Sequence, residues 1–477
     1  MNSDYDFIVI GGGSAGYAAA RTAVAEGLST LVIEGGAKVG GLCILRGCMP
    51  SKALIESANR NITIRRAAEF GLRAEPKGAI GSEIIARQHR FVSMFADYRR
   101  EQLESGKFDF ARAGAVFTSP HELAITPMGG GAGDAQIVRG KYILIATGSA
   151  IPAVKVPGLE EAGYLTSDDL LELVDLPKSA IVLGGGAIAV ELAHYLEGVG
   201  TKVTLIQRSR HVLKDFDEEV GEVVEHAFLT RGMEIFTNTE LVRAERTADG
   251  GRAVIFKHGG KEERREAEIV LYCLGREPNT QSLGAEAGGV HLKHRHVSVH
   301  STQQSTSQPH VFAAGDVCGP LEVVHIAIQQ GEVAARNAAR LSRGEHDHQL
   351  EHVDYRLQLF GVFCEPQAAI VGKTEKSCKE CCEDYVTARY DFNDHGKSLV
   401  MGEPEGFVKL IARRDTGEIL GGEVVGPEAC ELIHEIVVAM GFHATAAQLA
   451  LIPHYHPTLS EIWTYPAEEI AEIVAAH

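Results

Sequence analysis

Asp4-Tyr5-Asp6-Phe7-Ile8-Val9-Ile10-Gly11-Gly12-Gly13-Ser14-Ala15-Gly16 is the stretch that decides the fold. Its apolar run through Ile10 reads as a buried parallel strand. The alanine-rich segment that follows predicts a helix to about Gly27, then a second strand over Ser29–Ile33 with Glu34 at its end. Strand, G-x-G-x-x-G, helix, strand and acid in that order form a dinucleotide-binding unit. Gly11 permits the tight turn, Gly13 lets a pyrophosphate approach the backbone, and Gly16 lets helix and strand pack closely. The helix N-terminus then faces the phosphates, and Glu34 is the expected acceptor for ribose hydroxyls.

The same design returns at residues 180–208. The strand Ala180-Ile181-Val182-Leu183 runs into Gly184-Gly185-Gly186-Ala187-Ile188-Ala189, a helix to about Gly198, the strand Lys202–Ile206, and then Gln207 and Arg208. Gly11 to Glu34 spans 23 residues, and so does Gly184 to Gln207. Two units built alike imply two dinucleotides. The second differs from the first: its third glycine is Ala189, and its acid is replaced by neutral Gln207, with Arg208, Arg210 and Lys214 close behind. An acid there repels a 2′-phosphate, whereas guanidinium and ammonium groups attract one. The expectation is NADPH, with NADH the alternative.

Between the strands of the first unit and the rest of the chain stands Gly40-Gly41-Leu42-Cys43-Ile44-Leu45-Arg46-Gly47-Cys48-Met49-Pro50-Ser51-Lys52. Cys43 and Cys48 are five residues apart, so a bridge between them closes a small ring in a turn that Gly47 helps to distort. So small a loop adds little stability, and an easily reduced bridge serves better as a reactant than as a staple. The alternative is two unrelated core cysteines. The glycines before, Pro50 after and then Lys52 favour the reactive pair.

This segment resembles the redox-active disulfide of the FAD-dependent pyridine-nucleotide disulfide oxidoreductases, which include dihydrolipoamide dehydrogenase, glutathione reductase and mercuric reductase. Related motifs run from residue 7 to residue 461. The resemblance implies electron flow from nicotinamide through FAD to a Cys43–Cys48 disulfide, with Cys48 on the flavin side and Cys43 exchanging with substrate. It implies that Lys52 sits by the flavin with Glu191 as its partner. It places FAD contacts at Gly11, Gly13, Ser14, Ala15, Gly16, Glu34, Gly41, Lys52, Ala115, Thr147, Gly148 and Asp316, the last within Val311-Phe312-Ala313-Ala314-Gly315-Asp316-Val317. It places nicotinamide-coenzyme contacts at Gly184, Gly186, Ala189, Arg208, Lys214 and Gly275. Arg208 and Lys214 match the two basic positions of NADPH-using members. The ending His454-Tyr455-His456-Pro457-Thr458-Leu459-Ser460-Glu461 resembles the family signature in which the histidine before proline is the acid/base and the glutamate orients it. In the family that histidine comes from the partner subunit, so the resemblance implies a homodimer with composite sites and a small-molecule disulfide or dithiol as substrate.

The expected fold class is α/β: two Rossmann-like domains, for FAD and NAD(P), plus a C-terminal α+β dimerisation domain. The expected boundaries are residues 1–150 (FAD domain, first part), 151–275 (NAD(P)H domain), 276–346 (FAD domain, second part) and 347–477 (dimerisation domain). After the disulfide segment a helical stretch and then a looser region to about residue 110 are expected, followed by short strands over 111–147 with Gly129–Asp134 as a hairpin tip.

Several cues divide the substrate readings. Pro50-Ser51-Lys52-Ala53-Leu54 resembles dihydrolipoamide dehydrogenase, whereas the coenzyme loop resembles the NADPH reductases. A metal-ion or quinone reductase of the mercuric reductase type is an alternative. Against it, the chain ends in Ala-Ala-His with no terminal cysteine pair, and it keeps the His-Pro-Thr signature. A low-turnover redox-sensing flavoprotein is a third reading, opposed by the dithiol and the His–Glu pair. Ala187 stands where many relatives carry a tyrosine over the flavin, which implies an open nicotinamide pocket. Cys378, Cys381 and Cys382 lack a fourth ligand for a metal site and read as an exposed helix, so no metal is expected.

The formal charge of −18 over 477 residues, with no long basic run, argues against nucleic acid and anionic membrane surfaces as partners. Strand residues beginning by Tyr5 leave no room for a signal peptide, and no apolar run approaches a membrane span. Nine scattered cysteines suit a reducing compartment, with the cytoplasm as the expected location.

Overall fold

Parallel pairing organises the first half of each dinucleotide motif. The computed structural model describes residues 2–476, whose contacts divide into two compact units. The first comprises residues through Pro50, Gln88–Pro152 and Arg276–Asp354; the second comprises Ser51–Arg87, Ala153–Gly275 and residues from Tyr355 on.

In the first unit the strands Asp109–Ala111, Thr30–Ile33, Asp4–Ile10, Gln136–Ile145 and Val311–Ala313 lie side by side and parallel. Their register aligns Ile10 with Ile33 and with Ile145, and Ile145 with Ala313. The residues that leave these strands, Gly11, Glu34, Ala146 and Ala314, therefore emerge together at the carboxyl edge of the sheet, where open α/β sheets bind ligands. The first half of Gln136–Ile145 turns aside to pair antiparallel with Glu122–Pro127, which pairs with Ala113–Ser119. Helices Ser14–Ala25 and Val324–Ser342 pack on one another through Ala15, Ala19, Ala23, Ala334 and Ala338, small side chains that let the helices approach closely.

The second unit repeats the plan. Strands Glu234–Phe236, Lys202–Ile206, Ser179–Leu183, Ile269–Tyr272 and Leu165–Thr166 form a parallel sheet, with Leu183 aligned to Ile206 and to Tyr272. A three-stranded antiparallel sheet, Glu240–Arg246, Arg252–His258 and Lys261–Ala267, follows in sequence. The C-terminal portion is a five-stranded antiparallel sheet in the order Leu359–Val362, Gln367–Gly372, Ile419–Gly426, Phe407–Arg413 and Tyr385–Asp391. Helices Ala429–Gly441 and Thr464–Ala475 cover it, and fully buried Trp463 is held by its indole N–H to Leu432 O at 3.1 Å. Leu54, Ile55, Ala58 and Ile85, from the segment after the cysteines, join the core around the Ala187–Gly198 helix.

Two expectations need correction. The looser region before residue 110 contains a helix of 23 residues, Gly81–Leu103. Phe91, Met94 and Tyr98 on it are exposed, so its apolar residues form no single stripe and the period-3.6 signal is blurred. The cysteine-rich helix, Glu375–Glu380, is not wholly exposed: Cys378 is buried, and only Cys381 and Cys382 face solvent. Among the described residues no helix is long and apolar enough to cross a membrane.

Candidate active site

The two glycine turns are built alike. Gly11 has φ +110° and Gly184 has φ +119°, a region open to glycine. A Cβ at Gly11 would fall 2.3 Å from Ala146 O, and one at Gly184 would fall 2.4 Å from Cys273 O. Both turns thus need glycine twice over, for conformation and for the close passage of the neighbouring strand's exit. Gly13 and Gly186 start their helices with no side-chain cap, so the first helical N–H groups are left to an incoming anion. Gly41, at the head of the Gly41–Arg46 helix, lies against Gly13: a Cβ there would stand 2.6 Å from Gly13 Cα. Ser14 and Ala15 open the first helix. Gly16 packs so tightly on Gly11 O that a methyl has no room, whereas the second helix accommodates the methyl of buried Ala189.

Glu34 is buried, and its carboxylate accepts the Gly12 N–H at 2.8 Å and the Gly36 N–H at 2.6 Å. Two backbone donors fix the acid at the sheet edge with lone pairs remaining for hydroxyls. Ala115 lies in the Ala113–Ser119 strand, whose first residue donates to Glu34 O. Thr147 and Gly148 leave the Gln136–Ile145 strand and are tied to Asn279, by Thr147 Oγ1 to Asn279 O at 2.8 Å and Asn279 N–H to Gly148 O at 2.9 Å. Asp316 accepts from Ser149 Oγ at 2.6 Å, and Arg276 Nε donates to that same oxygen at 2.8 Å. The glycine cradle, the uncapped helix start, the fixed acid and Asp316 converge at one edge and fit a dinucleotide.

At the second turn Gln207 is buried, and its side-chain oxygen accepts the Arg208 N–H at 2.9 Å. Leu213 N–H donates to Gly185 O at 2.7 Å, which pins the 208–214 loop to the glycine turn and sets Lys214 directly beyond it. Arg208 and Lys214 are exposed; Arg210 pairs with Glu218 at 3.1 Å. Gly275, with φ +111°, follows the Ile269–Tyr272 strand out of this sheet.

Cys43 lies in the short Gly41–Arg46 helix, and Cys48 begins the Cys48–Arg65 helix; Gly47 interrupts the two with φ −125° and ψ −119°. Both cysteines are half-buried. Lys52 stands four residues after Cys48 on that longer helix. Its ammonium binds both oxygens of Glu191, at 3.0 and 2.8 Å. Glu191 Oε1 also accepts the Phe363 N–H at 3.0 Å, and the Lys52 ammonium lies 4.7 Å from the centre of the Phe363 ring. A buried carboxylate that takes two contacts from the ammonium and one from a backbone N–H holds the lysine in one place.

His456 Nδ1 and Glu461 Oε2 are 3.0 Å apart; the imidazole side chain is 79% exposed and the carboxylate is nearly buried. On its other side Glu461 meets a second histidine: His395 Nε2 is 3.4 Å from Oε1.

Sequence reasoning missed three neighbours of these residues. His395 and Phe363 lie far from their partners in sequence and in no recognisable motif. Arg99 lies on the unexpected Gly81–Leu103 helix, its guanidinium 4.3 Å from the Tyr17 ring centre and 3.4 Å from Gly13 O.

A fold with two matched dinucleotide turns and a close cysteine pair defines a flavoprotein disulfide oxidoreductase dependent on a pyridine nucleotide. The sequence matches the pyridine nucleotide-disulphide oxidoreductase family over residues 5–331 and that family's dimerisation domain over residues 360–467, and the chain belongs to this family. It is 34% identical over 469 residues to a dihydrolipoyl dehydrogenase of Bacillus subtilis (strain 168), covering 97% of each chain. It is 33% identical to the dihydrolipoyl dehydrogenase of Thermus scotoductus, covering 96% of this chain and 95% of the other. Among solved structures it is similar to LpdA from Mycobacterium tuberculosis, with a TM-score of 0.84 and 28% identity over 97% of this chain and 99% of that one. The chain is thus an NAD(P)H-dependent flavoenzyme, with FAD and a pyridine nucleotide as its cofactors and a dimer-forming C-terminal domain.

Proposed function

We propose that this enzyme passes electrons from NADPH to a low-molecular-weight disulfide through the Cys43–Cys48 pair, with His456 as the acid/base. The observation that carries this reading is the exposed His456 imidazole fixed by Glu461 at 3.0 Å, which leaves Nε2 facing outward. Bound FAD supplies the two-electron relay between nicotinamide and dithiol. His456 takes the proton of the Cys43 thiol, the resulting thiolate attacks one sulfur of the substrate, and His456 returns the proton to the departing thiolate. The Cys48 thiolate then attacks Cys43 sulfur and closes the Cys43–Cys48 bond, and the second substrate sulfur leaves as a thiolate that takes a proton from solvent. Lys52, held by Glu191, places one positive charge four residues past Cys48, and Gly11, Gly13, Glu34 and Asp316 hold the FAD.

A steady-state panel of lipoamide, glutathione disulfide, other small disulfides and Hg²⁺ with both coenzymes tests the reading. A small disulfide turned over with NADPH supports it, lipoamide being the first to try because the relatives are dihydrolipoyl dehydrogenases. Turnover confined to Hg²⁺ refutes it.

Coenzyme choice gives a separate expectation. Gln207 offers a ribose no charge, while Arg208 and Lys214 stand exposed on a loop pinned to the glycine turn. A charge-assisted hydrogen bond contributes about 1.5–3 kcal/mol, so losing one costs roughly tenfold or more in selectivity. The wild type is expected to show the higher kcat/KM with NADPH. Arg208→Ala with Gln207→Glu is expected to reverse the preference by raising KM for NADPH. A wild type that prefers NADH would reduce the basic loop to a surface feature.

The dimerisation domain supports the reading of a composite site shared between two copies. Phe442, Leu451 and Tyr455 expose 83%, 82% and 83% of their surface, on or beside the segment that carries His456. Apolar side chains left so open are expected to be covered by a second copy. Leu451→Asp with Phe442→Glu is expected to yield monomers in sedimentation that keep NADPH oxidation by an artificial acceptor and lose disulfide turnover. Monomers with full disulfide turnover would show that each chain works alone.

A further inference from the structure

We propose that His395 is the positioning residue of the exchange base, acting on His456 through the carboxylate of Glu461. The inference rests on the reading of His456 as that base. His395 lies at the start of the Gly396–Met401 helix and is completely buried. Its Nδ1 is 2.8 Å from Ser398 Oγ, and its Nε2 is 3.4 Å from Glu461 Oε1. Among the described residues Nε2 is buried without a hydrogen bond of full geometry, and the 3.4 Å approach of Glu461 Oε1 is the contact that can take up its proton.

The tautomer follows from this packing. A bare Nε2 lone pair facing a carboxylate in a buried site is repulsive, whereas Ser398 can either donate or accept. The Ser398 hydroxyl therefore donates to Nδ1, the proton of His395 resides on Nε2, and that N–H is left for Oε1 at 3.4 Å. The other carboxylate oxygen, Oε2, is left for His456 Nδ1–H. His456 then carries its lone pair on Nε2, the exposed nitrogen that exchange requires. The chain Ser398–His395–Glu461–His456 thus fixes both the carboxylate plane and the tautomer of the base.

The titratable groups that face His395 are Glu461 and His456; burial lowers its pKa, Glu461 raises it and His456 lowers it, and burial prevails, so it stays neutral. On its own segment Asp394 is taken up by the Tyr390 hydroxyl at 3.1 Å and Asp391 by Arg389 at 2.8 Å; the ring packed edge-on against it, Phe392, carries no charge. A neutral donor at Oε1 draws off part of the carboxylate charge that faces His456 and fixes the plane in which Oε2 meets Nδ1.

The test is the pH profile of the disulfide-exchange half-reaction in flavin-loaded dimer. His395→Leu is expected to slow exchange roughly ten- to a hundredfold, as removing the partner behind a working histidine does in metal sites. It is also expected to move the acid limb of the profile to higher pH by about one unit, while reduction by NADPH is unchanged. His395→Gln, which keeps a donor near the Nε2 position, is expected to restore both. Ser398→Ala is expected to shift the limb in the same direction by less, and it keeps the test open where the leucine variant fails to fold. A folded His395→Leu or Ser398→Ala enzyme with the wild-type profile overturns the proposal. His456→Ala in parallel distinguishes the two levels: if it exchanges at the wild-type rate, the base assignment itself falls; if it is slow while the His395 and Ser398 variants are normal, only the positioning role falls.

Discussion

Replacing His456 by alanine is expected to slow disulfide exchange by about 10²–10⁴-fold, the range a positioned general acid/base contributes, and to leave reduction by NADPH nearly untouched. The reason for the asymmetry lies in what the imidazole touches. Its Nδ1 is held by Glu461 at 3.0 Å and the ring is largely exposed, so its other nitrogen is the one that the proposed exchange would use to protonate a departing sulfur. The nicotinamide coenzyme is proposed to bind at the second glycine turn, Gly184–Gly186, which opens from the sheet of strands Ser179–Leu183, Lys202–Ile206 and Ile269–Tyr272. Glu461→Gln keeps the shape and one acceptor but loses the charge, so it is expected to fall between wild type and His456→Ala. Stopped-flow measurement of each half-reaction decides the matter. Equal losses in both half-reactions would mean that His456 is structural and that proton transfer is carried by another group.

What could be read beforehand was whatever is local in the chain. Gly11 and Gly184 announce themselves because a turn with positive φ and a strand passing 2.3–2.4 Å from where a Cβ would be leaves no other residue type. The strands around them are short apolar runs, and their parallel order follows from the strand–helix–strand plan. Cys43 and Cys48 could be singled out as a candidate pair because that reading uses only their spacing and neighbours. The Gly81–Leu103 helix was not, because exposed Phe91, Met94 and Tyr98 blur its stripe, and Arg99 was hidden with it. His395 was illegible for another reason: 66 residues separate it from Glu461, and only the pairing of five antiparallel strands brings them within 3.4 Å. Lys409 belongs to this second kind. In sequence it is one basic residue in Phe407–Arg413, a strand buried along most of its length.

Replacing Lys409 by methionine, which keeps the length and apolar stem of the side chain, is expected to cost about 3–5 kcal/mol, the usual penalty for removing one partner of a buried ion pair. The ammonium is 3% exposed and lies 2.6 Å from Asp217, 2.8 Å from Glu219, 3.1 Å from Glu423 and 3.4 Å from Glu375. Asp217, Glu219 and Glu375 stand as close together as the ligands of a cation, and Lys409 is the cation among them. Asp217 opens the Glu218–Thr230 helix and donates its N–H to Glu423 at 3.0 Å, so the ammonium ties that helix to the C-terminal sheet. Burial opposes ionisation of Asp217, but Lys409 holds its pKa below the usual range; Glu423, buried more deeply and beside Asp217, is pushed up to about 7 despite Lys409. The signs follow. The contribution of Glu423 to stability is fully present below its unfolded pKa of about 4.5 and is lost as pH rises through about 7. That of Asp217 is present above about 3.8 and is lost as pH falls through its lowered value. Without the ammonium both acids bind protons more readily, so the variant's deficit is expected to be largest near pH 8 and to narrow toward pH 5. Urea unfolding at fixed protein concentration measures this, and Lys409→Met with Glu423→Gln, which removes one stranded charge, is expected to recover part of the loss. A deficit below about 1 kcal/mol, the level of an exposed pair, or one independent of pH, would show that water reaches these carboxylates and that Lys409 does not hold the helix to the sheet.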